Sequence, residues 1–167
     1  MASFDQNGIP FKGAVTTATL ADGGANTLLL KLVQGSITWT EPGPTYVEAM
    51  ERGRHQSTPV VVDTDDGNCS GSCQFLVDSW AGSSTATPYE FLTFTGAAAA
   101  FATTSAGGRK TFKLTVTMNS TVDGGGSQTA VFAHCVLDSI DVDDAGTDGL
   151  TTLTFNWTDL ESRPTYA

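Results

Sequence analysis

Between Thr111 and Met118 apolar and polar side chains alternate without a break, with Phe112, Leu114, Val116 and Met118 on one side and Thr111, Lys113, Thr115 and Thr117 on the other. Successive side chains of a strand point to opposite faces, so period-two alternation marks a strand with one face on a core. The pattern recurs along the chain. Leu153, Phe155 and Trp157 alternate with Thr152, Thr154 and Asn156, and Ile37 and Trp39 sit among Ser36, Thr38 and Thr40. Cys69, Cys73, Phe75 and Val77 share a face, with Ser70, Ser72, Gln74 and Leu76 opposite. Segments Ala14–Leu20, Thr27–Gln34, Pro59–Asp63 and Ala130–Val142 also read as strands. Threonine, β-branched and polar, suits their exposed faces. The chain is therefore mainly β.

One segment departs from period two. Thr87-Pro88-Tyr89-Glu90 offers an N-cap threonine, a proline at the first helical position and a glutamate three residues after the cap. Ala97–Ala100 follow, good helix formers, and Gly107-Gly108 supplies a stop. These features predict one α-helix over about residues 88–102, with Tyr89, Leu92, Ala99 and Phe101–Ala102 as its buried stripe. The predicted architecture is a β-sandwich or barrel with this helix on its flank.

Three stretches read as loops. Glu41–Thr58 opens with Glu41-Pro42-Gly43-Pro44 and has room for an extended piece at Tyr46–Met50; Asn119–Gln128 contains Gly124-Gly125-Gly126; Asp143–Gly149 is an acidic turn. No internal repeat or composition break divides the chain, so residues 1–167 read as a single domain with long loops at 41–58 and 119–128.

Composition narrows the function. Charged residues are only 16% of the chain, against about 25% in typical soluble domains. The net charge is −10, and no basic cluster exists beyond Arg52/Arg54 and Arg109-Lys110-Lys113. Gripping phosphate backbones takes a basic face, which argues against tight nucleic-acid binding. No apolar run approaches the ~18 residues of a membrane helix, and MASFDQNGIPFKG lacks a basic-then-apolar leader, so synthesis in the cytoplasm is expected.

The candidate chemistry is sparse. On a straight strand Cys69 and Cys73 lie roughly 13 Å apart, beyond the ~7 Å a disulfide spans, unless Gly71 makes a turn. A zinc site would need Cys135, His55 or His134 to converge on them. Core packing of the thiols is the simpler expectation. Asp141, Asp143, Asp144 and Asp148 suggest calcium, but a calcium loop starting at Asp141 would need an oxygen ligand at Ala145 and a glutamate at Thr152 and has neither, and Asp63, Asp65 and Asp66 fail because Gly67 stands where a ligand should be. His134 falls mid-strand and His55 in a polar loop, neither in a nucleophile motif, and there is no phosphate-cradling glycine loop. The expectation is a protein without catalysis, metal or cofactor.

The run from Gly35 to Trp80 resembles the N-terminal half of the tail tube (major tail) proteins of long-tailed bacteriophages. The pieces that carry the resemblance are a G-x-φ-x-φ-x-E strand at Gly35–Glu41, an acid-Arg-Gly step at Glu51-Arg52-Gly53, a short strand at Pro59–Val62 and a long one at Gly67–Trp80. A helix ending in Thr95–Phe101, a Gly-rich hairpin and the closing TLTFNWTDLESRPTYA, with its Arg163-Pro164 tail, extend it over about residues 10–166. It rests on order and spacing.

The resemblance implies a structural protein of the virion, assembled in the host cytoplasm. Its homohexameric rings would stack into a hollow tail tube, with tape-measure, terminator and baseplate proteins as partners and no membrane. DNA would pass through the lumen during ejection without specific binding, helped by the acidic charge of the chain, which repels phosphates. The long loops would bridge subunits and rings, which nominates Tyr46, Val47, Met50, Arg52, Arg54, Asp123 and Gln128 as interface residues. Baseplate-hub, terminator or capsid-decoration proteins are alternatives with related folds. A secreted carbohydrate-binding sandwich displaying Trp39, Trp80 and Trp157 is another.

Overall fold

The structure, a computed structural model, describes residues 16–43, 45–49, 58–63, 68–105, 108–119, 127–144, 150–160 and 163–167. The strands run β1 (Thr17–Ala21), β2 (Thr27–Leu30), β3 (Leu32–Thr40), β4 (Thr45–Ala49), β5 (Thr58–Asp63) and β6 (Ser70–Leu76), then helix α1 (Pro88–Thr93), then β7 (Phe112–Asn119), β8 (Ser127–Asp143), β9 (Thr152–Asp159) and β10 (Thr165–Tyr166). Strands β2-β1-β7-β8-β9-β6-β3 follow one another in a single antiparallel sheet, with β10 added alongside β8. Strands β4 and β5 form a separate two-stranded ribbon. The mainly β expectation with one helix holds.

Two corners curl the sheet into a nearly closed barrel. The first is β8. Its residues Ser127–Cys135 pair with β7, and Cys135–Asp143 pair with β9. From Phe112 to Leu114 β7 advances two residues while β8 goes from Cys135 to Phe132, and from Leu137 to Ser139 β8 advances two while β9 moves from Trp157 to Asn156. Both bulges add a residue to β8, and bulges bend a strand so that it can pass from one layer to the other. The second corner is Lys31, the single residue between β2 and β3.

The two layers enclose one core. Ala18, Leu20, Leu114, Val116, Ala130 and Phe132 line one wall; Cys73, Phe75, Leu153, Phe155 and Trp157 line the other, all without solvent exposure. Aromatic rings bridge the layers, with Phe132 4.5 Å from Trp157 and 5.7 Å from Trp39, and Phe112 6.2 Å from Phe155. Edge-to-face and tilted pairs at these separations add to the burial of large apolar surfaces.

The helix is shorter than the sequence predicts. Its start is as expected: Glu90 N–H donates to the Thr87 hydroxyl at 3.2 Å, and Thr87 N–H donates to the Glu90 carboxylate at 3.1 Å. It ends at Thr93 because Phe94 turns left-handed (φ 52°), and Phe94 and Thr95 N–H groups donate back to Phe91 and Glu90 carbonyls in a Schellman closure. Gly96–Ala98 then form a 3₁₀ turn. Gly96 is also left-handed (φ 52°), and a Cβ there would lie 1.9 Å from Glu90 Oε1. The alanines after it are thus held off the helical path. Of the predicted stripe Leu92 is buried and Phe101 is half-buried against the core, but Tyr89, Ala99 and Ala102 are exposed, and Phe91, Phe94 and Ala98 take the other buried places. Among the described residues no helix is long and apolar enough to cross a membrane.

Candidate assembly surfaces

The outward face of β3, β6, β9 and the second half of β8 is the most distinctive surface. Cross-strand register puts Thr38, Ser72, Asn156 and Ser139 in one row. Thr40, Ser70, Thr158 and Val136 form the next row, and Gln74, Thr154 and Asp141 the one on the other side. Side chains tie the strands together: Thr38 Oγ1 and Ser72 Oγ are 3.0 Å apart, Asn156 Nδ2 donates to Ser139 Oγ at 2.8 Å, and Gln74 Nε2 donates to Thr152 Oγ1 at 3.1 Å. Thr158 Oγ1 donates to Asp138 Oδ2 at 2.6 Å, Asp138 being the residue bulged out of register by β8. These strands contain no lysine or arginine, so the formal charge of the face comes from Asp138, Asp141 and Asp143. A shallow groove of about 340 Å³ crosses it beside Gly71. Trp157 lies directly beneath, since a Cβ on Gly71 would meet its indole at 2.7 Å.

The opposite layer presents a different face. Thr17, Thr117 and Thr129 align across it, next to a row of Leu29, Thr19, Thr115, Val131 and Thr165. Leu29 is 63% exposed. Around the helix, Trp80 and Tyr89 stack edge-to-face at 5.6 Å, both with exposed surface.

Two buried carboxylates organise the connections on the helix side, and sequence reading passed over both as chemistry. Glu90 accepts from the Thr87 and Gly82 amides at 3.1 Å each and from Ala97 at 3.4 Å. The Thr87 amide, ahead of the opposing cost of burial, holds the Glu90 carboxyl below its ordinary value, helped by Gly82 and Ala97. Burial works against Asp22, but hydrogen bonds from Asn26, Gly24 and Ala102 outweigh it and lower its carboxyl too. Asp22 thereby ties the β1–β2 turn to the segment at Ala102, after the helix. These carboxylates are scaffold, accepting from amides that would otherwise be orphaned.

The expected interface residues are distributed as follows. Tyr46 and Val47 lie in β4, paired with Val61 and Val60 of β5, so part of the anticipated 41–58 loop is an ordered ribbon. Gln128 lies in β8, exposed and paired with Met118, which places the connection it was assigned to inside the strand at that end. Met50, Arg52, Arg54 and Asp123 fall outside the described residues. Cys69, Cys73 and Cys135 are free and buried. Among the described residues no group of three His, Cys, Asp or Glu side chains gathers closely enough to hold a metal. His134, half-buried, has Nδ1 3.2 Å from Thr104 Oγ1. The aromatic display expected of a carbohydrate-binding sandwich is not present in the form anticipated: Trp157 is fully buried and Trp39 packs against Phe132, leaving Trp80 on the surface.

No family model and no curated protein matches the sequence. Solved structures do. A chain of the sheath-tube complex of the extracellular contractile injection system PVC, in its extended state, superposes with a TM-score of 0.60 at 9% identity over 100% of this chain and 99% of that one. A chain of the anti-feeding prophage baseplate gives 0.59 at 9% identity, covering 100% and 97%. The SPP1 tail tube gives 0.50 at 11% identity, covering 93% and 79%. At such identities the likeness is one of fold. The chain has a tail-tube-like fold, shared along nearly its whole length with components of phage tails and contractile injection systems.

Proposed function

We propose that this chain is a structural subunit of a phage tail tube, forming homohexameric rings that stack into a hollow conduit for DNA. The observation that carries the reading is the outward face of β3, β6, β9 and β8, a largely hydroxyl and amide surface, interrupted by Val136 and Leu76, whose formal charges are all negative. Such a wall repels phosphates and offers no basic group to hold them, so duplex DNA slides past it. The fold likeness over the whole chain supports the same reading. The β4–β5 ribbon, carrying Tyr46 and Val47 and leading to Met50, Arg52 and Arg54, is the element assigned to contact the next ring. Asp123 and Gln128, at the β7–β8 connection, are the further candidates for contact with the next ring. A head-to-tail contact that closes gives a ring, and one that does not close gives a filament; a stacked tube uses both. The tube would reside in the virion tail, assembled in the host cytoplasm, and meet tape-measure, terminator and baseplate proteins.

A second reading has an observation behind it. Chains of a PVC sheath/tube terminator and of the anti-feeding prophage cap share the fold with TM-scores of 0.59 and 0.58, so a ring that caps a tube without extending it fits the same architecture. Negative-stain imaging of concentrated pure protein separates the two. Tubes support the tail-tube reading, isolated rings the terminator or cap, and monomers at all concentrations contradict both. Replacing Arg52 and Arg54 by Glu should leave a folded protein that no longer makes tubes.

A further inference from the structure

The C-terminal strand reaches Glu41, four residues ahead of the β4–β5 ribbon. Tyr166 pairs with Ala130 of β8, and Ala167 and Thr129 exchange backbone hydrogen bonds of 2.8 and 2.9 Å, so the last residues are zipped onto the first half of β8. From there the Tyr166 phenol donates to Glu41 Oε1. The Trp39 indole N–H donates to the same oxygen at 3.2 Å. Glu41 is the residue that follows β3, and the chain enters β4 at Thr45. One carboxylate oxygen therefore joins three elements: the C-terminal strand, the end of β3 and the exit toward the ribbon. Trp39 anchors the arrangement to the core, since its ring packs on Phe132 at 5.7 Å.

We propose that Tyr166, Glu41 and Trp39 form a latch that fixes the direction in which the β4–β5 ribbon leaves the barrel, so that the C-terminal strand acts as a positioning element for assembly. The physical case is one of leverage. The described pairings of β4 and β5 are with each other only, and a two-stranded ribbon is marginally stable by itself. Glu41 precedes the ribbon by four residues, so its polar contacts bear on one of the two connections that join the ribbon to the barrel. The inference rests on the reading of the ribbon as the stacking element, but the latch itself is testable without it.

Tyr166→Phe removes the donor and keeps the ring; Glu41→Ala removes the shared acceptor. Tyr89→Phe, which deletes a hydroxyl elsewhere on the surface, serves as control. Amide hydrogen exchange of residues 45–49 and 58–63 is measured in dilute, unassembled protein, alongside the thermal midpoint and the concentration at which tubes appear. We expect exchange in the ribbon to rise at least tenfold in both latch variants, with core-strand amides and the midpoint nearly unchanged, no change in the control, and tubes appearing only at higher concentration. Unchanged ribbon exchange in both variants overturns the latch, whatever the tubes do. Faster ribbon exchange with assembly at the normal concentration upholds the latch and overturns instead the reading of the ribbon as the stacking element.

Discussion

Leu30 and Leu32 are separated by one residue yet pair with strands from opposite ends of the sheet: Leu30 with Ala18 of β1, Leu32 with Phe75 of β6. The chain closes the barrel by running continuously from one layer into the other. At the crossing, Lys31 C=O accepts from Leu76 N–H at 2.9 Å, while its ammonium meets Asp78 in the solvent. Backbone continuity, rather than the exposed ion pair, should therefore matter. Lys31→Ser is expected to cost under about 1 kcal/mol, the usual worth of an exposed pair. Deleting Lys31 shifts β3 by one residue and would turn Ile37 and Trp39 outward, because a one-residue slip exchanges the faces of a strand. Chemical denaturation of the two variants should show a near-native midpoint for the first and loss of the cooperative transition for the second.

The core between the layers has little slack. Phe132 touches both Trp157 and Trp39, so Phe132→Ala should destabilise by about 3–5 kcal/mol, as large-to-small aromatic substitutions do. The opposite error is equally testable at Gly71, where a Cβ would lie 2.3 Å from the Thr38 carbonyl oxygen and 2.7 Å from the Trp157 ring. Gly71→Ala should cost about 1–3 kcal/mol through overpacking, read as a lower urea midpoint with an unchanged m-value.

Acid should loosen the helix side first. Glu90 and Asp22 titrate below their ordinary values in the folded chain. A depressed carboxyl contributes stability that is fully present above its unfolded pKa, about 4, and is lost as pH falls through the folded value. Stability should thus hold from neutral pH down to about 5 and decline below it. Glu90→Gln should be less stable at neutral pH and show a shallower decline between about pH 5 and 2, measured by thermal melts across that range.

The thiols should be inert while the chain is folded. Burial pushes Cys73 up to about 12; burial, then the charges of Glu41 and Asp159, push Cys69 up to about 11; burial above all raises Cys135 well above its ordinary value. Since the thiolate is the nucleophile, a thiol reagent at pH 8 should react slowly with native protein and count three groups after denaturation. Rapid reaction of the native protein would show that these positions open to solvent.

How far the sequence carried depended on whether local pattern and tertiary geometry agreed. Strands β7 and β9 were legible because each keeps a single alternation from end to end. In β8 the inward residues are Ala130 and Phe132, then Cys135 and Leu137, then Ile140. The phase shifts at each bulge, so period two identifies the strand but not its facing. The N-terminus of α1 was legible because a capping box is a local device. Its end was not, because Phe94 adopts a left-handed conformation that no glycine announces, and because Glu90 reaches forward to Ala97. The polar face was invisible as a unit: Thr38, Ser72, Ser139 and Asn156 are scattered in sequence and meet only through register. The resemblance to tail tube proteins supplied the architecture ahead of the coordinates, on order and spacing alone.

On the proposed reading, the face of β3, β6, β9 and β8 lines a channel through a six-membered ring. A cryo-EM reconstruction of the concentrated, assembled protein tests it most directly. Stacked six-fold rings are expected, in which Thr38, Ser72 and Asn156 face the lumen with Asp138 and Asp141 projecting beside them. Rings in which this face is turned outward or buried between subunits, or a protein that stays monomeric at every concentration, would contradict it.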